Sequence, residues 1–275
     1  MSIITLTTDF GTLDYRVASI KGAILSLKKD SQIVDITHEI QAFDVLQTAY
    51  ILKNSYSYFP KGSIHIVSVD SFHHKDRKCL VFLADEHYFI LSDNGIFSLI
   101  FKDIKPEAVY EITLNNRFDD EVHFTSTDIF VPVAVHLSNG GVPEIIGRKT
   151  EEYKEIISPK PIFNEAQKIL SGEVIYIDHF GNVVSNIDRT LFEKYTSIYK
   201  NFEIKFRNIS VKKVFNQYTD LVTDWKTEVK LHGEKLALFN EAQLLEIAIY
   251  KGSMNNGASS LMGLNVGEKI FVTFS

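Results

Sequence analysis

Cysteine is almost absent from this chain: Cys79 is the only one in 275 residues. An internal disulfide and a cysteine-based metal cluster are therefore excluded. Cys79 lies in the apolar run CLVFLA, where a buried, inert thiol is expected. An excess of positive charge is also missing. Lys and Arg total 29 against 35 Asp and Glu, a formal net charge of −6. The chain thus lacks a basic footprint for nucleic acid and is not drawn to an anionic membrane surface. No apolar run approaches the ~20 residues that a membrane helix needs. No basic segment followed by a long apolar one marks an export signal, so a cytoplasmic protein is expected. Internal repeats, low-complexity tracts and a Gly-x-Ser-x-Gly nucleophile elbow are absent too, the last arguing against an unrelated α/β hydrolase. The remainder, 45% hydrophobic and 23% charged, suits one large globular domain or two modest ones.

What is present starts with Ile3 to Lys21, ITLTTDFGTLDYRVASIKG. Ile3 to Thr7 reads as a strand buried on both faces. It breaks at Asp9-Phe10-Gly11, and Asp14 stands where it can cap a helix whose apolar face carries Val17, Ile20, Ile24 and Leu27. This strand–turn–helix puts two carboxylates at the edge where open α/β sheets bind small ligands. Capping of the turn alone would account for both acids equally well. Gln32 to Asp35 is a second short strand followed by the loop Ile36 to Ile40. Asp44 caps a helix carrying Val45, Ala49 and Leu52. Ile64 to Asp70 and Cys79 to Ala84 are strands, and Tyr88 to Leu91 pairs with the latter across Asp85-Glu86-His87. Asp93-Asn94-Gly95 is a tight turn. Ala108 to Leu114 is a further strand, and Asp128 caps a helix from Ile129 to Leu137, with Pro132 in its first turn and Asn139-Gly140-Gly141 ending it. Strands alternating with helices imply an α/β domain with a mostly parallel sheet over residues 1–160.

Residues 142 to 170, with Pro143, Pro159 and Pro161, read as the junction. Beyond it helical periodicity is weak. Short β-like segments recur at Gly172–Asp178, Phe202–Phe206, Glu228–Leu231, Lys235–Phe239, Leu244–Ile249 and Lys269–Phe274. A smaller antiparallel β-barrel or sandwich domain is expected over 170–275.

Asp9, Asp14 and Asp70 end early strands or turns, and sheet geometry brings them to one rim. Arg77 follows Asp70 by a seven-residue loop, so carboxylate and guanidinium can pair across it, as an ion pair of the loop or as part of a site. In the second half, Asp178-His179-Phe180-Gly181-Asn182-Val183-Val184-Ser185-Asn186 crowds an acid, an aromatic, a glycine and two amides together. Asn182 and Asn186 offer the donor–acceptor pairs that read a purine edge, or simply belong to a hairpin turn.

The combination is more specific than its parts. TTDFG with DY and IKG, DITHEI, FPKGSIHIVSVD with Arg77 downstream, DNG, FTSTDIFVPVA, GEVIYIDHFGNVVSNI and LLEIAI follow in that order from Ile3 to Phe271. The chain resembles the S-adenosylmethionine hydroxide adenosyltransferase family, relatives of the fluorinase and chlorinase enzymes. The resemblance implies an N-terminal α/β domain, a C-terminal β-barrel and a homotrimer, with S-adenosylmethionine held between one subunit's first domain and a neighbour's second. It implies hydrolysis of that substrate to adenosine and methionine by water or hydroxide attacking the ribose carbon joined to sulfur, with no cofactor and no metal. By position, Asp9 is implied to hold the ribose hydroxyls, Asp14 to face the methionine ammonium, Phe43 to stack on adenine and Asn182 to contact the nucleoside. Glu246 and the backbone near Ala248 are implied to meet adenine.

An Asp-Arg-His trio around one water is implied for catalysis. Asp70 and Arg77 match its first two members. The third is missing, because family members read FHGRD where this chain reads Phe124-Thr125-Ser126-Thr127-Asp128, leaving Thr125 at the histidine's place. A hydroxyl can hold a water but is no base near neutral pH. Ser71-Phe72-His73-His74 replaces a Pro-Gly-Val-Gly, and Glu241 replaces a Ser near the methionine carboxylate. His123 shares a face with Thr125 in an extended segment, and His73 or His74 can reach in from the Asp70–Arg77 loop. A zinc site from His73 and His74 lacks a third ligand. The expected activity is water-dependent cleavage. A non-catalytic S-adenosylmethionine or adenosine binder is the rival reading, and a halogenase a weaker one, since Asp70 places negative charge beside an incoming halide.

Overall fold

The computed structural model describes residues 2–102, 104–113 and 122–275. The chain divides into two compact units, Met1–Ile157 and Ser158–Ser275.

The first unit runs β1 (Ile3–Thr8), α1 (Arg16–Leu27), β2 (Gln32–Thr37), α2 (Val45–Lys53), β3 (Ile64–Ser68), β4 (Cys79–Ala84), β5 (His87–Ser92), α3 (Ile96–Ile100), β6 (Ala108–Ile112), α4 (Val131–Ser138), α5 (Pro143–Ile146) and β7 (Gly147–Lys149). Its seven strands lie in the order β2-β1-β3-β5-β4-β6-β7. The first four are mutually parallel, and β4, β6 and β7 extend the sheet by antiparallel pairing. The central strands are apolar on both sides because both faces are covered. Ile4, Leu6, Ile64 and Ile66 pack with Ile20 and Ile24 of α1 and with Val131, Ala134 and Val135 of α4. Val67, Phe82, Phe89 and Leu91 meet Ala49 and Leu52 of α2 and Phe97 of α3 on the other face.

Several boundaries differ from the sequence reading. The N-cap of α1 is Tyr15, with no side-chain cap, while Asp14 accepts the Arg16 amide at 2.9 Å from one position further out. Leu27, expected on the buried face, is exposed. β2 continues to Thr37 because Thr7 pairs with it across a register shift. Asp128 does not cap the helix. It sits inside a π-helical turn, Ser126–Phe130, that leads into α4, and its carboxylate accepts the amides of His123 (3.0 Å) and Phe124 (2.9 Å). β6 ends at Ile112, and Leu114 lies outside the described residues. Asp44 caps α2 as expected, accepting the Gln47 amide at 2.9 Å.

The second unit contains β8 (Ile162–Asn164), β9 (Ile169–Ile177), β10 (Val183–Asp188), α6 (Arg189–Ile198), β11 (Phe202–Phe206), β12 (Ile209–Val211), β13 (Val214–Phe215), β14 (Lys235–Phe239), β15 (Leu244–Ile249), α7 (Ala258–Met262) and β16 (Lys269–Phe274). The strands run β12-β11-β16-β9-β10-β15-β14-β13, with β8 beside β9. β12 comes back alongside β14, so the sheet curls into a nearly closed barrel. Alternation along β15 sends Leu245, Ile247 and Ile249 into the barrel core. Ala248 and Tyr250 point outward and join Leu236 and Leu238 in a second apolar layer, covered by Tyr218, Leu221 and Leu231.

Two segments depart from expectation here. Glu228–Leu231 is not a strand but part of a 3-10 helix, Trp225–Leu231, which Asp224 starts by accepting the Lys226 amide at 3.0 Å. α6 has no counterpart in the sequence reading because its apolar stripe is narrow: Phe192 is its only buried residue. Asp188 caps it through the Leu191 amide at 2.8 Å. Among the described residues, no helix is long and apolar enough to cross a membrane.

Candidate active site

The first unit's site begins with strand register. β1 and β3 pair in parallel with Thr8 opposite Ser68. The next residues to leave these strands carry Asp9 and Asp70 onto the same carboxyl edge. One oxygen of Asp9, Oδ2, accepts both the Asp70 amide (3.1 Å) and the Phe43 amide (3.0 Å). Both donors are in the left-handed region, at φ 43° for Asp70 and 67° for Phe43. Asp tolerates that conformation; a bulky Phe does so only where its surroundings hold it. The Asp9 carboxylate supplies that restraint through Oδ2.

Arg77 closes the Asp70 loop. Its Nη1 donates to the Asp70 carbonyl at 2.7 Å and to Oδ1 at 3.1 Å. Buried Asn94, from the Asp-Asn-Gly turn, donates to the Val69 carbonyl at 3.0 Å and secures the same bend from beneath. The paired carboxylate and guanidinium expected from the sequence are thus present, half-buried and anchored.

A further chain of contacts reaches the turn from behind. Lys21 pairs with Asp35, Asp35 with His38 Nε2 (3.2 Å), and His38 Nδ1 meets Thr8 Oγ1 at 2.9 Å. The His38 carbonyl also accepts the Gly11 amide at 2.7 Å. His38, 5% exposed, thereby ties both ends of the Thr8–Gly11 turn that presents Asp9.

Thr125 opens the π-helical turn, which docks on β3 through Ser126 Oγ to Ser68 Oγ at 2.9 Å. Thr125 is buried, and its hydroxyl has no hydrogen-bond partner among the described residues. It lines a cavity of about 130 Å³ together with Ser71, His73, His123 and Arg16. Two of the three histidines named from the sequence therefore face the same small space as Thr125. His74 does not line it; its Nδ1 accepts the Asp76 amide at 3.2 Å within the loop. Asp14 pairs with Arg16, itself a lining residue of this cavity. Phe43 stands exposed at the rim, its ring 6.1 Å from that of Phe72.

The second unit has a larger cavity of about 740 Å³, lined by Asp178, Asn182, Asn240, Glu241 and Glu246 among others. The Asp178–Asn182 turn is built by its own acid: Asp178 Oδ1 accepts the amides of Phe180 and Asn182, both at 2.8 Å, and Oδ2 accepts Asn182 Nδ2 at 3.0 Å. Gly181 is required, since a Cβ there would stand 2.9 Å from the Ser253 carbonyl, at φ 74°. Glu246 is buried on β15 between Leu238 and Val184 of the flanking strands. Burial raises its pKa to about 7, helped by the negative charges of Asp178 and Glu241 and opposed by hydrogen bonds with Asn240 and Asn182. Ala248 does not line the cavity; it is fully buried opposite Leu236 in the outer apolar layer. Asn186 is spent on structure, accepting the Glu173 amide (2.9 Å) and donating to the Pro159 carbonyl (3.0 Å).

The sequence reading did not single out Asn94, Phe72, His38, Asp178 or Asn240 as site residues. Asn94, Phe72 and His38 act through contacts across 25 or more residues, such as Asn94 to Val69, which no local pattern reveals, whereas the hydrogen bonds of Asp178 with Asn182 and of Asn240 with Glu246 are local.

An α/β unit with an acid–guanidinium couple at its sheet edge, followed by a barrel unit with a carboxylate-lined cavity, is a two-domain architecture. The chain belongs to the SAM hydroxide adenosyltransferase family, whose N-terminal domain model matches residues 4–147 and C-terminal domain model residues 172–271. It is 28% identical to a Methanocaldococcus jannaschii protein named (R)-S-adenosyl-L-methionine hydrolase, over 100% of this chain and 97% of that one. A fluorinase from Actinoplanes sp. is 24% identical over 70% of this chain and 74% of its own length. The crystal structure of an uncharacterized conserved protein from Thermotoga maritima superposes with a TM-score of 0.84 at 27% identity, covering 98% of this chain and 100% of that one.

Proposed function

We propose that this protein hydrolyses S-adenosyl-L-methionine to adenosine and L-methionine. The observation that carries the reading is the Asp70–Arg77 couple, held beside Asp9 by the Oδ2 contact. Similarity over the full chain to a protein named as such a hydrolase supports it.

The chemistry asks little of the protein. A water oxygen forms a bond to the 5′ carbon of the ribose, the carbon–sulfur bond breaks, and its electron pair neutralises the sulfonium. The leaving group is neutral, so no general acid is needed. The water's proton passes to Asp70 or to solvent. Asp70 orients the water, Arg77 fixes Asp70 and favours hydroxide, and the Thr125 hydroxyl holds the same water. Asp9 Oδ1 takes the ribose hydroxyls, Phe43 covers adenine, and Asp14 meets the methionine end. Asn182 and Glu246 take the base. The reading extends to a homotrimer in a reducing, cytoplasmic setting, which the single free Cys79 suits. Three chain masses in solution are expected.

Incubation with S-adenosylmethionine in ¹⁸O-water tests the reaction. Adenosine carrying the label at its 5′ hydroxyl is the expected product. The replacement of a base by Thr125 favours one rival, a binder without turnover. That rival predicts a thermal shift with adenosine and no products. Chloride in the assay addresses halide attack, which the retained Asp70 charge opposes.

A further inference from the structure

The entry to α4 is wound more widely than the helix it leads into. Ser126–Phe130 is a π-helical turn, and regular α geometry begins only at Val131. Such turns are rare and concentrate at functional sites. Asp128 stands at the centre of this one. Its Oδ2 accepts the amides of His123 at 3.0 Å and Phe124 at 2.9 Å, and its Oδ1 accepts the Thr127 hydroxyl at 2.9 Å. The Phe124 carbonyl in turn accepts the amides of Thr127 (3.0 Å) and Asp128 (2.9 Å). Side-chain and backbone oxygens thus clamp the segment His123–Asp128 on itself.

The clamp is fastened to the strand ends that carry the two acids. Ser126 Oγ meets Ser68 Oγ at 2.9 Å, two residues before Asp70. The Phe124 ring packs on Phe10, next to Asp9, with 5.5 Å between centroids. Thr125 lies inside the clamp, 3% exposed, and its hydroxyl has no hydrogen-bond partner among the described residues. It faces the cavity of about 130 Å³ that Ser71, the residue after Asp70, also lines. A buried hydroxyl left unmatched costs free energy unless a water or a substrate atom meets it.

We propose that Asp128 is a positioning residue for hydrolysis: by gripping the His123 and Phe124 amides it aims the Thr125 hydroxyl at the attacking water. This rests on the hydrolase reading above and adds which side chain fixes the water's second ligand. Asp128 acts through the backbone around Thr125 and touches no reacting atom. A residue that only starts a helix stands before its first turn and accepts from amides further along. Asp128 does the reverse, reaching from inside the turn to amides four and five residues earlier. Helix α4 itself begins without a side-chain cap. The carboxylate is therefore spent on the bend that presents Thr125.

The experiment is a double-mutant cycle on steady-state hydrolysis of S-adenosylmethionine by the intact protein, combining Asp128→Ala with Thr125→Val. Asp128→Ala is expected to lower kcat by at least ~10-fold, as loss of orientation does, while KM and adenosine affinity stay within about twofold. Thr125→Val is expected to lower kcat by a similar factor. In the Thr125→Val background the further loss on Asp128→Ala should shrink to under about twofold, because the group that Asp128 aims is gone. Asp128→Asn keeps a carbonyl oxygen that can accept both amides, so most of kcat should return. A merely structural Asp128 would lower turnover alike in both backgrounds. Losses that multiply in the double variant, or full turnover in Asp128→Ala, would overturn the inference while leaving the hydrolase reading intact. Should Asp128→Ala not fold, Asp128→Glu, whose carboxylate sits one methylene too far out, enters the same cycle under the same two criteria. An unaltered protein that binds adenosine and releases no products would overturn both readings.

Discussion

At the scale of single residues, the proposed reaction turns on Asp70 and Thr125. Asp70 is the carboxylate bonded to Arg77 and held at φ 43°, and Asp70→Ala should lower turnover by ~100-fold or more, as expected for a lost base. Adenosine affinity, measured by calorimetry, should change little, because the base and sugar contacts lie elsewhere. Unchanged turnover would show that the water is activated by another group. Thr125 carries a buried hydroxyl without a partner among the described residues, facing a space shared with His73 and His123. Thr125→His should raise the steady-state hydrolysis rate by at least ~10-fold, within the roughly 100- to 10,000-fold range of general-base assistance. No gain would shift weight to the binder without turnover.

At the scale of elements, the Thr8–Gly11 turn matters more than any strand. It depends on His38, buried behind it and bonded to Thr8 and Gly11. His38→Ala should lower kcat/KM for S-adenosylmethionine by ~10-fold through displacement of Asp9, of the order that loosened positioning costs. His38→Asn, which retains a polar atom near Nδ1, should recover most of the loss without a matching change in melting temperature. A purely structural His38 would move stability and activity together.

Legibility from sequence followed the same division. β1, β3, β4, β14, β15 and β16 were readable because their apolar runs are dictated by burial on one or both faces, and the Asp44 cap because its chemistry is local. α6 and the 3-10 helix at Trp225–Leu231 were not, since neither presents a wide apolar stripe. Asp9, Asp70 and Arg77 were legible as strand-end chemistry. The backbone near Ala248 was placed by resemblance alone, and the residue's side chain packs in the outer apolar layer.

At the scale of the whole molecule, each unit buries a titratable group, and the two groups bias stability with pH in opposite senses. In the first, fully buried His65 contacts His87 (3.1 Å) and Thr5 (2.7 Å), and burial with the nearby His87 charge lowers its pKa from 6.5 to about 3. The unfolded chain binds a proton there that the folded chain refuses. This contribution to stability is complete above pH 6.5 and is lost as pH falls from there toward 3. In the second unit Glu246 is raised from 4.5 to about 7, so the folded state holds the proton longer. Its contribution is complete below pH 4.5 and is lost as pH rises through 7. Each slope is at most ~1.4 kcal/mol per pH unit. Amide exchange corrected for its intrinsic pH dependence should therefore show protection in β3 and β5 rising between pH 5 and 6.5 while that in β14 and β15 falls. Parallel trends in both units would show that other groups dominate.

The single oxygen that Asp9 shares between Phe43 and Asp70 ties the proposed sugar grip mechanically to the proposed solvent-activating acid. Evolution cannot retune one without disturbing the other, and paired substitutions at positions 9 and 70 should yield losses smaller than their sum. A lineage that trades water for a different nucleophile has to rebuild this corner as one piece.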